Sequence, residues 1–242
     1  MNVSVTVQLG INGRARQLNP LFLDVGSIGA ASSWSGSYHV LSMGRHYDEY
    51  VVAGRTINLP PIQGFPPAHP YERLAGKIRA AGVTGNIGEA IAAIFARRVL
   101  RANVGDITHV RPRRPFRRRK APDYLMRLVA VMPGPFGAVL PTGLSFRWPE
   151  WWPVESKARN SPSGSDAGRR DALQQLAAYW SLLADSQPFL VGFGIIVSFT
   201  YQPPREVRAN LILPTDQRQL VEVLKETQDP DVSRLKDFLN GC

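Results

Sequence analysis

From Asn86 onward the period of the apolar residues changes, and that change constrains the fold more than any other feature of the chain. Before it, Val3, Val5 and Val7 alternate with Ser4, Thr6 and Gln8, the two-residue period of a half-buried strand. After it, Ile87, Ile91, Ile94, Phe95 and Val99 repeat at helical spacing, with Asn86 placed to cap the helix. Residues 1 to about 70 read as rich in strands and loops: Leu21 to Val25, His39 to Leu41 and Tyr50 to Val52 are short strand candidates, and Asn58 to Pro70 is punctuated by proline. Beyond the helix, Tyr124 to Met132, Val154 to Ala158, Leu190 to Tyr201 and Val207 to Leu213 predict strands. Asp171 to Ala184 predicts a helix through its stripe of Leu173, Leu176, Ala177, Trp180 and Leu183. Asn160 to Gly168 reads as a polar loop, and two amphipathic helices are expected at about 215–227 and 231–239. Helix, strands, helix, strands in this order predict an α/β fold (mixed α+β), a mixed sheet flanked by helices. Two regions are expected, a β-rich one at 1–75 and an α/β domain at 76–242.

The charge is concentrated. The chain of 242 residues carries 29 Lys and Arg against 19 Asp and Glu. Seven of the cations stand in the ten residues Arg111 to Lys120; without them 22 cations face 19 anions. Such a block is either a contact for a polyanion or a solvated loop, and its prolines exclude a continuous helix or a central strand. Counterion release makes clusters of this kind effective on the phosphates of nucleic acid. The single thiol, Cys242, can form neither an intrachain disulfide nor a cysteine-rich zinc site, which suits a reducing, cytoplasmic setting. The longest apolar stretch, Phe189 to Phe199, is well short of the roughly 20 residues of a membrane span. Neither a membrane nor a secretory route is expected.

Three short elements could carry chemistry. In the Val154–Ala158 strand, Glu155 and Lys157 are two apart and share a face. Asp123, after Pro122, opens a neighbouring strand and can bring a second carboxylate to the same end of the sheet. Paired carboxylates are hard ligands suited to Mg²⁺ or Mn²⁺, and no His/Cys cluster competes for a softer metal. On the following helix Gln175 and Tyr179 are four apart and lie on one flank. Each element alone has an ordinary reading: an exposed charge pair, a turn aspartate, a helix surface with a half-buried ring.

Taken together, strand-borne Asp123, strand-borne Glu155-Ser156-Lys157 and helical Gln175-Leu-Ala-Ala-Tyr179 resemble the PD-(D/E)xK nuclease superfamily, the restriction-endonuclease-like fold, and most of all its RecB-like branch. The resemblance spans roughly residues 86 to 201. It implies a divalent-metal-dependent nuclease in which Mg²⁺ or Mn²⁺ is held by Asp123, Glu155 and the Ser156 carbonyl. Glu89, on the helix that opens the core, is similarly placed to the superfamily's metal-site glutamate. Lys157 would orient the attacking water, and Gln175 with Tyr179 would contact nucleic acid or organise the site. Mg-activated water would attack phosphorus in line and leave 5′-phosphate ends, on DNA in preference to RNA. Two features depart from the pattern: residues 133–152 must hold an inserted strand or loop, and Pro153 removes a ladder donor beside the Glu155 strand. The branch's upstream histidine has no clear equivalent: His109 is the nearest in sequence, but it reads rather as an exposed loop residue.

Around that core, Arg117, Arg118, Arg119 and Lys120 would grip the backbone beside the cut, and Arg169 and Arg170 would either meet phosphates or be solvated. Trp148, Trp151 and Trp152 would either stack on splayed bases or pack in a core. Gly82, Gly85 and Gly88 read as a lead-in to the helix, since no dinucleotide or P-loop signature accompanies them. Residues 1–75 would supply contacts to a partner subunit or a second copy. The competing expectation is a catalytically inactive subunit that keeps the nuclease fold and binds nucleic acid or assembles a complex. A third is a structural protein whose basic loop docks an acidic partner.

Overall fold

Alternating valines at one end of the chain and β-branched runs at the other end up side by side in one sheet. The computed structural model describes residues 2–23, 71–73, 83–100, 107–112, 114, 120–127, 151–159, 165–184, 194–200, 206–212, 217–225, 228–230, 232–233 and 237. These comprise strands β1 (Asn2–Leu9), β2 (Ala15–Phe22), β3 (Tyr71–Arg73), β4 (Ile107–Pro112), β5 (Tyr124–Met126), β6 (Trp152–Arg159), β7 (Ile195–Thr200) and β8 (Glu206–Leu211). Helices α1 (Val83–Arg98), α2 (Ser165–Ala184) and α3 (Gln217–Leu224) complete them. The strand order is β2-β1-β8-β7-β6-β5-β4-β3. After α1, strands β4, β5 and β6 form an antiparallel meander; α2 then crosses over so that β7 returns parallel to β6. β8 is antiparallel to β7, and β1 lies parallel to β8. The α/β class expected from the sequence is the class observed.

The sheet is covered on both faces. One core cluster joins α1 (Ile91, Ile94, Phe95) to Val3, Val5, Val7, Tyr124, Met126, Trp152 and Val154. The other joins α2 (Leu173, Leu176, Trp180) and α3 (Leu220, Leu224) to Leu125, Trp151 and Ile196. The alternation is strict along β5: Tyr124 and Met126 meet α1, whereas Leu125 meets α2. Ile91, Ile94 and Phe95 are at most 1% exposed, and burial of each side chain contributes about 1.5–3 kcal/mol.

Several local expectations are corrected. α1 begins at Val83, so Asn86 lies inside the helix, and Gly85 and Gly88 are helical residues rather than a lead-in. α2 begins at Ser165, extending through the expected loop residues 165–168. The basic block does not open as a loop: Arg111 and Pro112 end β4, where Pro112 pairs with Tyr71. β6 runs in front of the expected strand and takes in Trp152 and Pro153. Pro153 is tolerated because pairing with β7 starts only at Val154, so the prolyl residue precedes the part of β6 that is flanked on both sides. Trp151 and Trp152 are core residues, 4% and 0% exposed, on opposite faces of the sheet. The strand candidates at 39–41 and 50–52, residues 128–150 with Trp148, and Arg117, Arg118 and Arg119 lie outside the described residues.

β1 and β2 continue the same sheet as β6–β8, so the strands at the start of the chain are built onto the core. Their turn uses Gly10 at φ 73°, in the left-handed region that favours glycine. The Gln8 side chain closes it, donating to the carbonyls of Ile11 (3.1 Å) and Gly13 (2.9 Å) and accepting from Asn210 of β8 (2.9 Å). Among the described residues no helix is long and apolar enough to cross a membrane.

Gly88 sets how closely α1 approaches β6. A Cβ there would stand 2.7 Å from the Ala158 Cβ and 3.2 Å from the Ser156 Oγ. Gly88→Ala is expected to destabilise the fold by about 1–3 kcal/mol, despite alanine's better helix propensity, because overpacking outweighs that gain. Urea unfolding of both proteins checks this; an alanine variant as stable as the parent would show that α1 has room to shift.

Candidate functional site

The register of the β5–β6 ladder places two carboxylates at its end. Tyr124 pairs with Val154, so the next residue of each strand, Asp123 and Glu155, face one another where the ladder stops. Each carboxylate takes over a backbone hydrogen bond from the other strand. The Asp123 amide donates to Glu155 Oε2 at 3.0 Å, and the Ser156 amide donates to Asp123 Oδ2 at 3.0 Å. Lys157, two residues on, donates from Nζ to Glu155 Oε1 at 2.5 Å. The face is the α2 face, since Ser156 between them contacts Gly88 of α1. Asp123, Glu155 and Lys157 are therefore brought together.

Glu155 is 0% exposed. Burial pushes its carboxyl well above the ordinary 4.5, and the charge of Asp123 pushes the same way; Lys157 and the Asp123 amide oppose this and are outweighed. For Lys157, burial acts downward, yet Glu155, Asp123 and Asp171 raise the ammonium above its ordinary 10.5. Lys157 is thus a cation at neutral pH and acts as a hydrogen-bond donor, not as a base.

Glu89 stands on the other side. It belongs to α1, and its Oε2 accepts from the Tyr124 hydroxyl at 3.3 Å, a contact on the α1 face of the sheet. Among the described residues no three of His, Cys, Asp and Glu gather closely enough to hold a metal ion. The hard oxygens of Asp123 and Glu155 nevertheless suit Mg²⁺ or Mn²⁺ as a pair, because a cation would offset the repulsion and burial that lift Glu155. Glu89 does not join that pair in this arrangement.

The other expected residues divide. Gln175 is half-buried on α2. Tyr179 is 2% exposed within the α2 core cluster, so it does not present a surface to nucleic acid, and burial raises its phenol well above its ordinary value. It follows the apolar stripe inward because Leu176, Ala177 and Trp180 on either side are buried with it. Arg169 is half-buried and donates to the Ile11 carbonyl, tying the β1–β2 turn to α2 instead of reaching outward; burial lowers its guanidinium, with Asp166 opposing. Arg170 is exposed. Lys120 pairs with Asp229 at 2.6 Å and reaches Gln174 Oε1 at 3.4 Å, which fixes the end of the basic block against α2 and the C-terminal segment. His109 lies on β4, paired with Tyr124, not in a loop.

Sequence reasoning passed over Tyr124, Gln174, Asp229, Arg159 and Asp171. Only Arg159 carried a signal: it continues the two-residue period of Glu155 and Lys157. Arg159 Nη2 lies 2.9 Å from Asp171 Oδ2. Compared with family models, with curated proteins and with solved structures, the chain matches none.

Because the Glu155 carboxyl is raised in the folded state, its contribution to stability is fully present below the unfolded value near 4.5 and is lost as pH rises through the folded value. Between pH 4.5 and 8 the melting temperature of the wild type is therefore expected to fall relative to that of Glu155→Gln. Scanning calorimetry across that range gives the difference; parallel curves would mean that Glu155 titrates normally.

Proposed function

We propose that the chain is a divalent-metal-dependent nuclease acting on DNA in preference to RNA, with its centre at the end of the β5–β6 ladder. The observation that carries this reading is the meeting of Asp123, Glu155 and Lys157 at one point, in the chain order helix, strand, strand, helix that the resemblance implies. Asp123, Glu155 and the Ser156 carbonyl would hold Mg²⁺, which supplies Lewis-acid charge at the phosphate and lowers the pKa of water. The protein's own part is electrostatic and positional. Lys157, a permanent donor, orients the attacking water and offsets the charge that builds on the phosphoryl oxygens. Its bond to Glu155 fixes where that ammonium stands. α2 packs on this face of the sheet, with Leu173 and Leu176 buried in its core cluster. Arg170 and the basic block up to Lys120 would hold the substrate backbone.

One observation favours a second reading, an inactive subunit that binds nucleic acid through the same fold: both oxygens of the fully buried Glu155 are engaged by protein donors. Incubation with plasmid and single-stranded DNA in Mg²⁺ separates the two. The wild type is expected to cleave, and Asp123→Ala and Lys157→Ala each to lose about 10²-fold or more in rate. Equal cleavage by all three proteins would remove the site; no cleavage with salt-sensitive binding would establish the second reading.

A further inference from the structure

Two donors hold the buried carboxylate of Glu155, and they differ in kind. The Asp123 amide, on Oε2 at 3.0 Å, belongs to the backbone and closes the β5–β6 ladder. The Lys157 ammonium, on Oε1 at 2.5 Å, ends a flexible four-carbon stem. Lys157 reaches back along its own strand to make this contact. Its side chain is 18% exposed and that of Glu155 is 0% exposed, so the ammonium is the side of the pair that meets solvent. The Asp123 carboxylate, which accepts from the Ser156 amide at 3.0 Å, attracts the same ammonium. One positive charge therefore stands where two carboxylates meet.

That is the place a divalent ion would take, since Mg²⁺ keeps several of its waters and binds through one or two carboxylates. Two cations on one buried oxygen repel each other. The amide on Oε2 cannot leave without opening the ladder, whereas the ammonium can swing away on its stem. We propose that Lys157 is the stand-in cation of the carboxylate pair in the metal-free protein, and that its Nζ gives up Glu155 Oε1 when a divalent ion binds. Lys157 then becomes available to an anion only after the metal is in place, so metal loading sets the order in which the site assembles. The inference rests on the metal pair of the nuclease reading and adds the regulation of that same site.

Titration of the full chain with Mn²⁺ by calorimetry, without nucleic acid, tests this through binding alone. Mildly alkaline pH keeps a proton from replacing the ammonium on Glu155. Lys157→Met keeps the length of the stem and removes the charge. It is expected to tighten Mn²⁺ about 10-fold or more, because the competing bond no longer keeps most molecules from the binding-competent state. Lys157→Arg keeps a cation and is expected not to tighten it. Asp123→Asn removes one carboxylate and is expected to weaken Mn²⁺ about 10-fold or more. A second readout uses the wild type: trace acetylation of lysines, followed by mass spectrometry with and without saturating Mg²⁺. Lys157 is expected to label about 10-fold faster with the metal, and Lys225, 69% exposed, at the same rate in both. Three results overturn the inference: Mn²⁺ affinity unchanged or weaker in Lys157→Met, an equal gain in Lys157→Arg, or labelling of Lys157 indifferent to Mg²⁺. Where the methionine variant does not fold, the wild-type labelling decides alone. A wild type and a Lys157→Met variant that both fail to bind Mn²⁺ overturn the metal-dependent reading itself, whereas binding with an indifferent Lys157 overturns this inference alone.

Discussion

The pair of amide-to-carboxylate hydrogen bonds, from the Asp123 amide to Glu155 and from the Ser156 amide to Asp123, is the interaction on which the centre of this molecule depends. A ladder that simply stopped would leave two strand amides at a buried position, each costing about 1–3 kcal/mol if unsatisfied. Here the two carboxylates close the ladder by capping each other's strand. Register, burial and charge are thereby coupled. A slip of one residue between β5 and β6 would turn Glu155 toward α1 and leave those amides without acceptors. The close seat of Gly88 against Ser156 and Ala158 opposes the same slip from the other face.

That arrangement explains which parts of the structure were legible in the sequence. Two-residue and 3.6-residue periods survive folding wherever one face is buried and the other is not, so β1, α1, α2 and the Glu155–Lys157 strand could be read directly. The Glu155 row was visible for the same reason, and Arg159 was visible in principle, since it only continues that row. What could not be read was pairing across long separations. Nothing local in Val3 to Val7 says that β1 will lie parallel to β8, because Val5 and Val207 are some 200 residues apart in the chain and meet only in the shared core cluster. Helix starts were misplaced for a related reason. Asn86 has the chemistry of a cap, but α1 already runs from Val83, and Gly88 within it packs closely on β6, so packing outweighs propensity.

Tyr179 and Glu89 show where a motif and a structure part company. A glutamine and a tyrosine four apart share a helix flank, but the flank turned by α2 toward the sheet takes the ring into the core. Glu89 is one residue from the glycine that brings α1 onto β6, and this fixes it on the face where Tyr124 points. Carboxylates of neighbouring elements can thus be close in the chain's layout and still lie on opposite faces of one sheet, because parity along β5 sends Asp123 one way and Tyr124 the other.

The basic block changes meaning once its last residue is located. Lys120 is pinned between Gln174 and Asp229, three residues before Asp123, so the block is anchored at the end nearest the carboxylates. That contact fixes where Lys120 itself stands relative to the two carboxylates. Glu155 bears the cost of the same site: burial and Asp123 both oppose its ionised form, and one ammonium does not compensate them. The carboxylate still closes the ladder by accepting the Asp123 amide, but that bond and the ammonium together do not offset its burial. On the proposed reading, a cation at the carboxylate pair would offset the burial and the Asp123 charge that lift Glu155, while Lys157 stays charged beside it.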